Sequence, residues 1–503
     1  MIAVGKLNET FLQVSCERHI AYELNEYFSF KVPNFQFHPK FRAKIWDGKI
    51  RLFNIQSGQM YLGLFPYLKE WATKHSYELQ SDIVEARKIH GMDLESIKTF
   101  FDSLNLQSKN KPIIPRDYQI ESFLHCAKSE RALLLSPTSS GKSLVIYSLI
   151  RWYQQFIPDD KILILVPTTN LVTQMYNDFK DYSSKQSEWN VEEQCHVIYS
   201  GKEKESDKQI YISTWQSLYK LGKPYFQNFG MVIGDEAHLC NAQSLKSILE
   251  KMVNCRYRFG TTGTITDSKT NKLVLEGLFG KTYQAITSKE LMEDKHISDL
   301  KIECLLLKYG DEESKALKKA TYKEEIDFIV SNKKRNEFIA DLALARKGNI
   351  LILFNYVEKH GKVLEKIIKH KLQLNIALAN QEDRNVFFIA GETSVEDREN
   401  IRQMAEVENS IIVASSGVLS TGVNIKNLQS LIFAHPYKGK IRNLQSIGRV
   451  LRLDDKDNKA ILFDLVDDLS WKKHQNYGIK HWKERVKTYT NEQFDYNFRE
   501  ITL

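Results

Sequence analysis

The chain has 503 residues, a hydrophobic fraction of 42%, a charged fraction of 27% and a formal net charge of +8. That is the composition of an ordinary globular protein with room for about three or four domains. It excludes a disulfide scaffold or a disordered chain, and no apolar run approaches the ~18 residues of a membrane span.

The six cysteines, Cys16, Cys126, Cys195, Cys240, Cys255 and Cys304, form no CxxC pair and are read as reduced thiols. Residues 1–11 lack the basic head and apolar core of a signal peptide, so a cytoplasmic protein is expected. The positive charge fits a nucleic-acid partner without requiring one.

Residues 1–85 are rich in aromatics, and Asp47-Gly48 lies between Lys44-Ile45-Trp46 and Lys49-Ile50-Arg51-Leu52-Phe53. Asp-Gly between apolar-bearing segments signals a hairpin, and a small α/β domain is expected here. Residues 99–115 have the texture of a connector. From about residue 116 short apolar runs alternate with helical stretches: 132–135, 161–166, 210–213, 231–234 and 258–261. The alternation resumes at 349–354, 386–390, 410–414, 430–434 and 460–465. Continuous apolar runs followed by helices indicate parallel strands covered on both faces. Two α/β lobes are therefore expected, over 86–285 and 286–466, followed by a basic helical tail over 467–503.

Three segments carry chemistry. Ser136-Pro137-Thr138-Ser139-Ser140-Gly141-Lys142-Ser143 follows an expected strand and opens a helix, the context of a phosphate-binding loop. Lys142 would reach the β- and γ-phosphates and Ser143 would ligate Mg²⁺; Ser136 stands where the pattern has its first glycine. In Val232-Ile233-Gly234-Asp235-Glu236-Ala237-His238, Asp235 would hold Mg²⁺ and Glu236 would deprotonate the attacking water, although a capped helix start has the same look. In Gln445-Ser446-Ile447-Gly448-Arg449-Val450-Leu451-Arg452, Arg449 and Arg452 share a helix face and could clamp a γ-phosphate.

These segments resemble the motifs of superfamily 2 helicases of the DEAH-box type. The resemblance covers roughly residues 110 to 465 on element order. It implies two tandem RecA-like lobes and ATP hydrolysis with Mg²⁺, with Lys142, Asp235, Glu236, Gln445, Arg449 and Arg452 as the catalytic set. Arg116-Asp117-Tyr118-Gln119 resembles the adenine-reading segment, which points to Arg116 and Gln119. Pro167-Thr168-Thr169 and Thr214 match segments that touch the nucleic-acid backbone. Ser420-Thr421-Gly422-Val423-Asn424-Ile425 is similar to a motif touching nucleotide and strand, through Gly422 and Thr421. Thr262-Gly263-Thr264 stands where the family usually has Ser-Ala-Thr, which leaves its coupling role open.

Gln445 stands where RNA helicases of the DEAD-box type usually have His, and the whole chain most closely resembles the recombination helicases of phages. That likeness implies action on branched DNA, such as Holliday junctions, stalled forks and R-loops with their RNA–DNA hybrid, and 3′-to-5′ polarity. It also implies recombination or single-strand-binding proteins as partners and, for a phage gene, the bacterial cytoplasm as location. An RNA helicase and a duplex translocase subunit that does not separate strands are the alternatives.

Two regions invite a nucleic-acid reading of their own. Lys40, Arg42, Lys44, Lys49 and Arg51 interleave with Phe35, Phe37, Phe41, Trp46 and Phe53, and on a hairpin the cations would share one face. Trp471, Lys472, Lys473, Lys480, Trp482, Lys483, Arg485 and Lys487 form a basic stretch with helical steps. An ordinary solvated face is the competing account of each.

Overall fold

The computed structural model describes the chain apart from residues 33–34, 84–93, 200, 242, 265–268, 297–298, 379–383, 408, 418–427 and 438–459. It divides into two compact units, with the main boundary between Ile286 and Thr287.

The first unit opens with strands β1 (Ile2–Lys6), β2 (Phe11–Cys16), β3 (Ser29–Lys31), β4 (Lys49–Arg51), β5 (Phe53–Asn54), β6 (Gln59–Tyr61) and β7 (Leu79–Ser81). Five of them form a sheet in the order β5-β6-β2-β1-β7. Alternate residues turn inward, with Ile2, Val4, Leu12 and Val14 buried, as the two-residue period of a half-covered strand requires. The helix Phe65–Lys74 buries Phe65, Leu68, Trp71 and Ala72 on one stripe.

The expected hairpin across Asp47-Gly48 does not form as such: β4 pairs antiparallel with β3 instead. Pro39 at a first helical position and His38, whose Nδ1 accepts from the Lys40 N–H at 3.2 Å, start a short helix, Pro39–Arg42. The Ile45 and Trp46 N–H groups then both turn back to the Lys40 carbonyl, so residues 44–46 have no free edge to offer β4. Asp47 keeps its turn role. Its carboxylate accepts from the Lys49 N–H at 3.1 Å and pairs with Arg51, and Gly48 supplies a φ of +79°.

After a two-residue hairpin pair, β8 (Gln107–Ser108) and β9 (Lys111–Pro112), comes a seven-stranded sheet. Its strands are β10 (Arg131–Leu135), β11 (Lys161–Val166), β12 (Cys195–Ile198), β13 (Ile210–Thr214), β14 (Phe229–Gly234), β15 (Tyr257–Thr262) and β16 (Thr282–Gln284). They run parallel in the order β12-β13-β11-β14-β15-β10-β16. Both faces are covered, which is why Ile162 to Val166 are buried without a break. Ala132, Leu134, Ile162, Ile164 and Ile233 enter one core. Leu133, Leu163, Leu165 and Val232 enter the other, which is continuous with the core of the N-terminal sheet.

Polar contacts strengthen that junction. Tyr61 and Tyr67 donate to the carboxylates of Glu250 and Glu276, each at 2.6 Å. A Cβ on Gly63 would sit 2.1 Å from the Glu276 carbonyl, so only glycine allows the backbones to approach this closely.

The second unit holds another seven-stranded parallel sheet, made of β17 (Leu300–Lys308), β18 (Asn349–Phe354), β19 (Asn385–Ile389), β20 (Ser410–Ser415), β21 (Leu428–Phe433), β22 (Ala460–Asp468) and β23 (Asp495–Thr502). The order is β19-β20-β18-β21-β22-β17-β23. The two parallel lobes agree with the expected fold class.

The C-terminal segment differs from the purely helical tail expected. The helix Tyr477–Asn491 is followed by β23, which completes the sheet beside β17. Arg485 is also not a surface cation. It is buried against Asp464, with Nη2–Oδ1 at 2.8 Å and Nε–Oδ2 at 2.9 Å, while Lys480, Lys483 and Lys487 remain exposed. Among the described residues no helix is long and apolar enough to cross a membrane.

Candidate active site

In the first parallel sheet β14, β15 and β10 are neighbours, so the segments leaving their carboxyl ends meet side by side. Those segments are Asp235-Glu236, Thr262-Gly263-Thr264 and Ser136–Gly141. Residues a hundred positions apart in sequence are thus gathered at the edge where parallel sheets bind their ligands.

The loop after β10 is tied at both ends. Ser136 donates its N–H to the Thr262 carbonyl at 2.9 Å, and the Lys142 ammonium donates to the Ser136 carbonyl at 3.2 Å. Ser140 Oγ donates to the Pro137 carbonyl at 2.8 Å. Ser139 and Gly141 take φ values of +71° and +79°, and Gly141 caps the helix Lys142–Tyr153. These two left-handed residues turn the chain sharply into that helix, whose N-terminus is a place that favours an anion. Gly141 has a second reason to be glycine, since a Cβ there would lie 2.3 Å from Gln119 Nε2. Gln119 itself is fixed by its Oε1, which accepts from the Arg116 N–H at 2.9 Å. The expected adenine reader therefore borders the phosphate loop.

Asp235 is buried at the end of β14, and the Thr261 hydroxyl donates to its Oδ1 at 2.6 Å. Burial, then the adjacent Glu236 carboxylate, push the Asp235 carboxyl above the usual range; Lys142 and Thr261 pull it back. Glu236 holds a φ of +51°, a left-handed conformation costing ~1–3 kcal/mol in a non-glycine residue. His238 Nδ1 lies 2.9 Å from Thr262 Oγ1 and 3.3 Å from Glu236 Oε2. Because the Thr262 hydroxyl donates to the Thr264 carbonyl at 2.8 Å, the Nδ1 proton belongs to His238. The imidazole thus bonds to the segment after β15 and lies beside the Glu236 carboxylate. Sequence reasoning left the role of Thr262 open and missed Thr261; Thr262 directly precedes Gly263, the departure from the family pattern.

On the other side of β14, β11 and β13 pair with Val166 opposite Thr214. Pro167, Thr168 and Thr169 therefore emerge beside Thr214. Thr168 caps the helix Thr169–Tyr182, its side chain accepting from the Leu171 N–H at 3.4 Å. Thr169 is exposed, whereas Thr214 is buried and shares a 2.9 Å hydrogen bond with Ser217. In the N-terminal domain Lys40, Arg42, Lys44 and Arg51 are exposed and Lys49 is half-buried. They lie on the short helix, its exit and β4 rather than along one hairpin. Phe41, Arg42, Lys44, Trp46 and Arg51 help line an open hollow of about 770 Å³. Thr421, Gly422, Gln445, Arg449 and Arg452 lie outside the described residues.

The donor set suits magnesium. Ser143 Oγ and the Asp235 carboxylate are hard oxygen donors, and the paired charges of Asp235 and Glu236 are offset only in part by Lys142.

A parallel sheet with a Gly-Lys-Ser loop opening a helix, a buried aspartate followed by a half-buried glutamate and a threonine-histidine hydrogen bond at its carboxyl edge, followed by a second such sheet, defines an ATP-hydrolysing helicase core of superfamily 2. Residues 112–267 match the family model "Type III restriction enzyme, res subunit", and residues 333–454 the model "Helicase conserved C-terminal domain". Residues 4–82 match the model "DNA helicase UvsW, N-terminal". The ATP-dependent DNA helicase uvsW of Enterobacteria phage T4 is 35% identical over 512 residues, 98% of each chain. The crystal structure of T4 UvsW aligns over 100% of this chain and 99% of its own, with a TM-score of 0.52. A DNA 3′-5′ translocase, XPB2 of Sulfurisphaera tokodaii, is 26% identical over 399 residues, 74% of this chain and 86% of its own. The chain belongs to the UvsW family of DNA helicases, and it is an ATP-hydrolysing enzyme.

Proposed function

We propose that the protein is a motor that remodels branched DNA, driving Holliday junctions, stalled forks and R-loops with 3′-to-5′ polarity in a bacterial cytoplasm. The observation that carries the motor reading is the side-by-side placement of the Ser136–Ser143 loop, Asp235-Glu236 and the threonines ending β15. The name of the archaeal relative supports the polarity, and that of the T4 relative supports DNA over RNA.

In this reading Arg116 and Gln119 hold the adenine, and the backbone of Ser136, Pro137, Thr138, Ser139, Ser140 and Gly141 cradles the phosphates. Lys142 neutralises the β- and γ-phosphates. Ser143 and Asp235 hold a magnesium ion, which when bound supplies charge neutralisation at the phosphate oxygens. Glu236, already turned by its left-handed backbone, takes the proton of the attacking water. Gln445, Arg449, Arg452 and Gly422 act at the γ-phosphate. Pro167, Thr168, Thr169, Thr214 and Thr421 grip the strand backbone. Lys40, Arg42, Lys44, Lys49 and Arg51 give the N-terminal domain a phosphate-binding face beside exposed aromatic surface. Recombination and single-strand-binding proteins are the partners this activity calls for.

The test is ATP hydrolysis stimulated by single-stranded DNA, duplex DNA, a four-way junction, an RNA–DNA hybrid loop and single-stranded RNA. Strongest stimulation by junctions or hybrid loops supports the proposal. Stimulation by RNA alone overturns the DNA reading and leaves the ATPase standing. The match to the restriction-subunit model favours a second reading, duplex translocation without strand separation. Stimulation by duplex DNA with no displaced strand would select it.

A further inference from the structure

The hydroxyl oxygens of Ser143 and Tyr182 lie 2.8 Å apart, although 39 positions separate the two residues. Ser143 is in the first turn of the helix after the phosphate loop, and Tyr182 is the last residue of the helix Thr169–Tyr182. A serine oxygen that coordinates a cation turns its lone pairs to the metal, and its own proton then needs an acceptor elsewhere. We propose that Tyr182 is a positioning residue for magnesium-nucleotide binding, its phenol oxygen accepting the Ser143 proton so that the serine lone pairs face the cation. The inference rests on the reading of Ser143 as a magnesium donor.

Two observations fit a built arrangement rather than a passing contact. The Tyr182 ring packs on Tyr147 at 5.6 Å between centroids. Tyr147 in turn packs on Phe179 at 5.3 Å and Trp189 at 5.4 Å, so the phenol is held by an aromatic cluster and not by the hydrogen bond alone. Finally, Tyr182 sits on the helix capped by Thr168, the same element proposed to grip the strand at its other end.

The test uses the full-length protein and a fluorescent ADP analogue, with affinity measured in saturating Mg²⁺ and in excess chelator. In the wild type Mg²⁺ tightens binding. Tyr182→Phe keeps the ring and its packing, and is expected to lose about fivefold of affinity in Mg²⁺. Its affinity in chelator should stay at the wild-type value. Ser143→Ala should lose the magnesium-dependent gain altogether, and adding Tyr182→Phe to it should cost nothing more. If Ser143→Ala loses the gain but Tyr182→Phe keeps all of it, the role of Tyr182 is overturned. If Ser143→Ala keeps the gain, the reading of Ser143 fails, and the inference fails with it. A merely structural Tyr182 would lower affinity equally with and without Mg²⁺, which would also overturn the proposal.

Discussion

The guanidinium of Arg258, fully buried at the start of β15, donates through Nη2 to the hydroxyl of Thr10 in the N-terminal domain, 2.7 Å away. Its other donors reach the carbonyls of Cys255 at 3.1 Å and Leu249 at 3.0 Å. Burial lowers the Arg258 pKa to about 9, a measure of how far this cation is withdrawn from water. An arginine spanning two sheets in this way makes the N-terminal domain part of the first lobe. Thr10→Val preserves shape and removes the acceptor, so it should cost ~1–3 kcal/mol. Calorimetry of the variant should show the N-terminal domain and first lobe melting together at a lower temperature. A separate early transition for residues 1–81 would contradict the shared core.

Two substitutions separate binding from chemistry at the nucleotide. Lys142→Ala removes the ammonium that holds the Ser136 carbonyl and is proposed to meet the phosphates. Turnover should vanish while DNA affinity stays within about threefold of wild type, because the proposed strand contacts leave from β11 and β13 instead. Arg452→Ala should bind ATP normally and lose ~10³-fold or more in hydrolysis rate, the size of effect an arginine at a γ-phosphate provides. Weakened binding with a normal rate at saturation would remove Arg452 from the catalytic set.

The loop proposed to hold the phosphates was legible as a strand-to-helix connection because its signal is local: an apolar run, then Gly-Lys-Ser, then a helix. Asp235-Glu236 was legible for the same reason. The strand order that brings them together was not, since parallel neighbours such as β10 and β15 pair across more than a hundred residues. Tyr182 had no local signal at all, because its importance lies in a partner 39 positions away. The hairpin was misread because Asp-Gly specifies a turn and not which strand β4 pairs with. The edge strand β23 was missed because Asp495 to Thr502 is exposed along nearly its whole length and lacks the apolar run that marked the inner strands.

The basic C-terminal stretch divides into two kinds of cation. Arg485 is pinned on Asp464, and it also donates to the Tyr437 carbonyl at 2.6 Å, while Tyr489 donates to the same carboxylate at 2.9 Å. Arg485→Ala leaves a buried carboxylate without its countercharge and should destabilise the second unit by ~3–5 kcal/mol. Lys480→Ala, Lys483→Ala and Lys487→Ala should leave the melting temperature unchanged. If that face meets DNA, each lowers the slope of log affinity against log salt by about one. Chemical unfolding of the four variants, with salt titrations of DNA binding, distinguishes the two kinds. Equal melting temperatures across all four would refute the division.

His360 predicts a pH dependence for the second unit. The ring is fully buried, and neither nitrogen has a hydrogen-bond partner among the described residues. Burial, then the charges of Arg335 and His435, hold its pKa well below the ordinary histidine value. The folded protein therefore keeps His360 neutral where the unfolded chain takes up a proton. Its stabilising share is complete above about pH 6.5, the unfolded value, and is lost as the pH falls towards the depressed folded value. One such proton corresponds to a slope of ~1.4 kcal/mol per pH unit below about pH 6.5. His360→Leu removes the titrating group and fills most of the space, so its unfolding free energy should change less between pH 7 and pH 5 than that of the wild type. Identical slopes for the two proteins would mean that this imidazole is protonated in the fold, and that a partner for it exists.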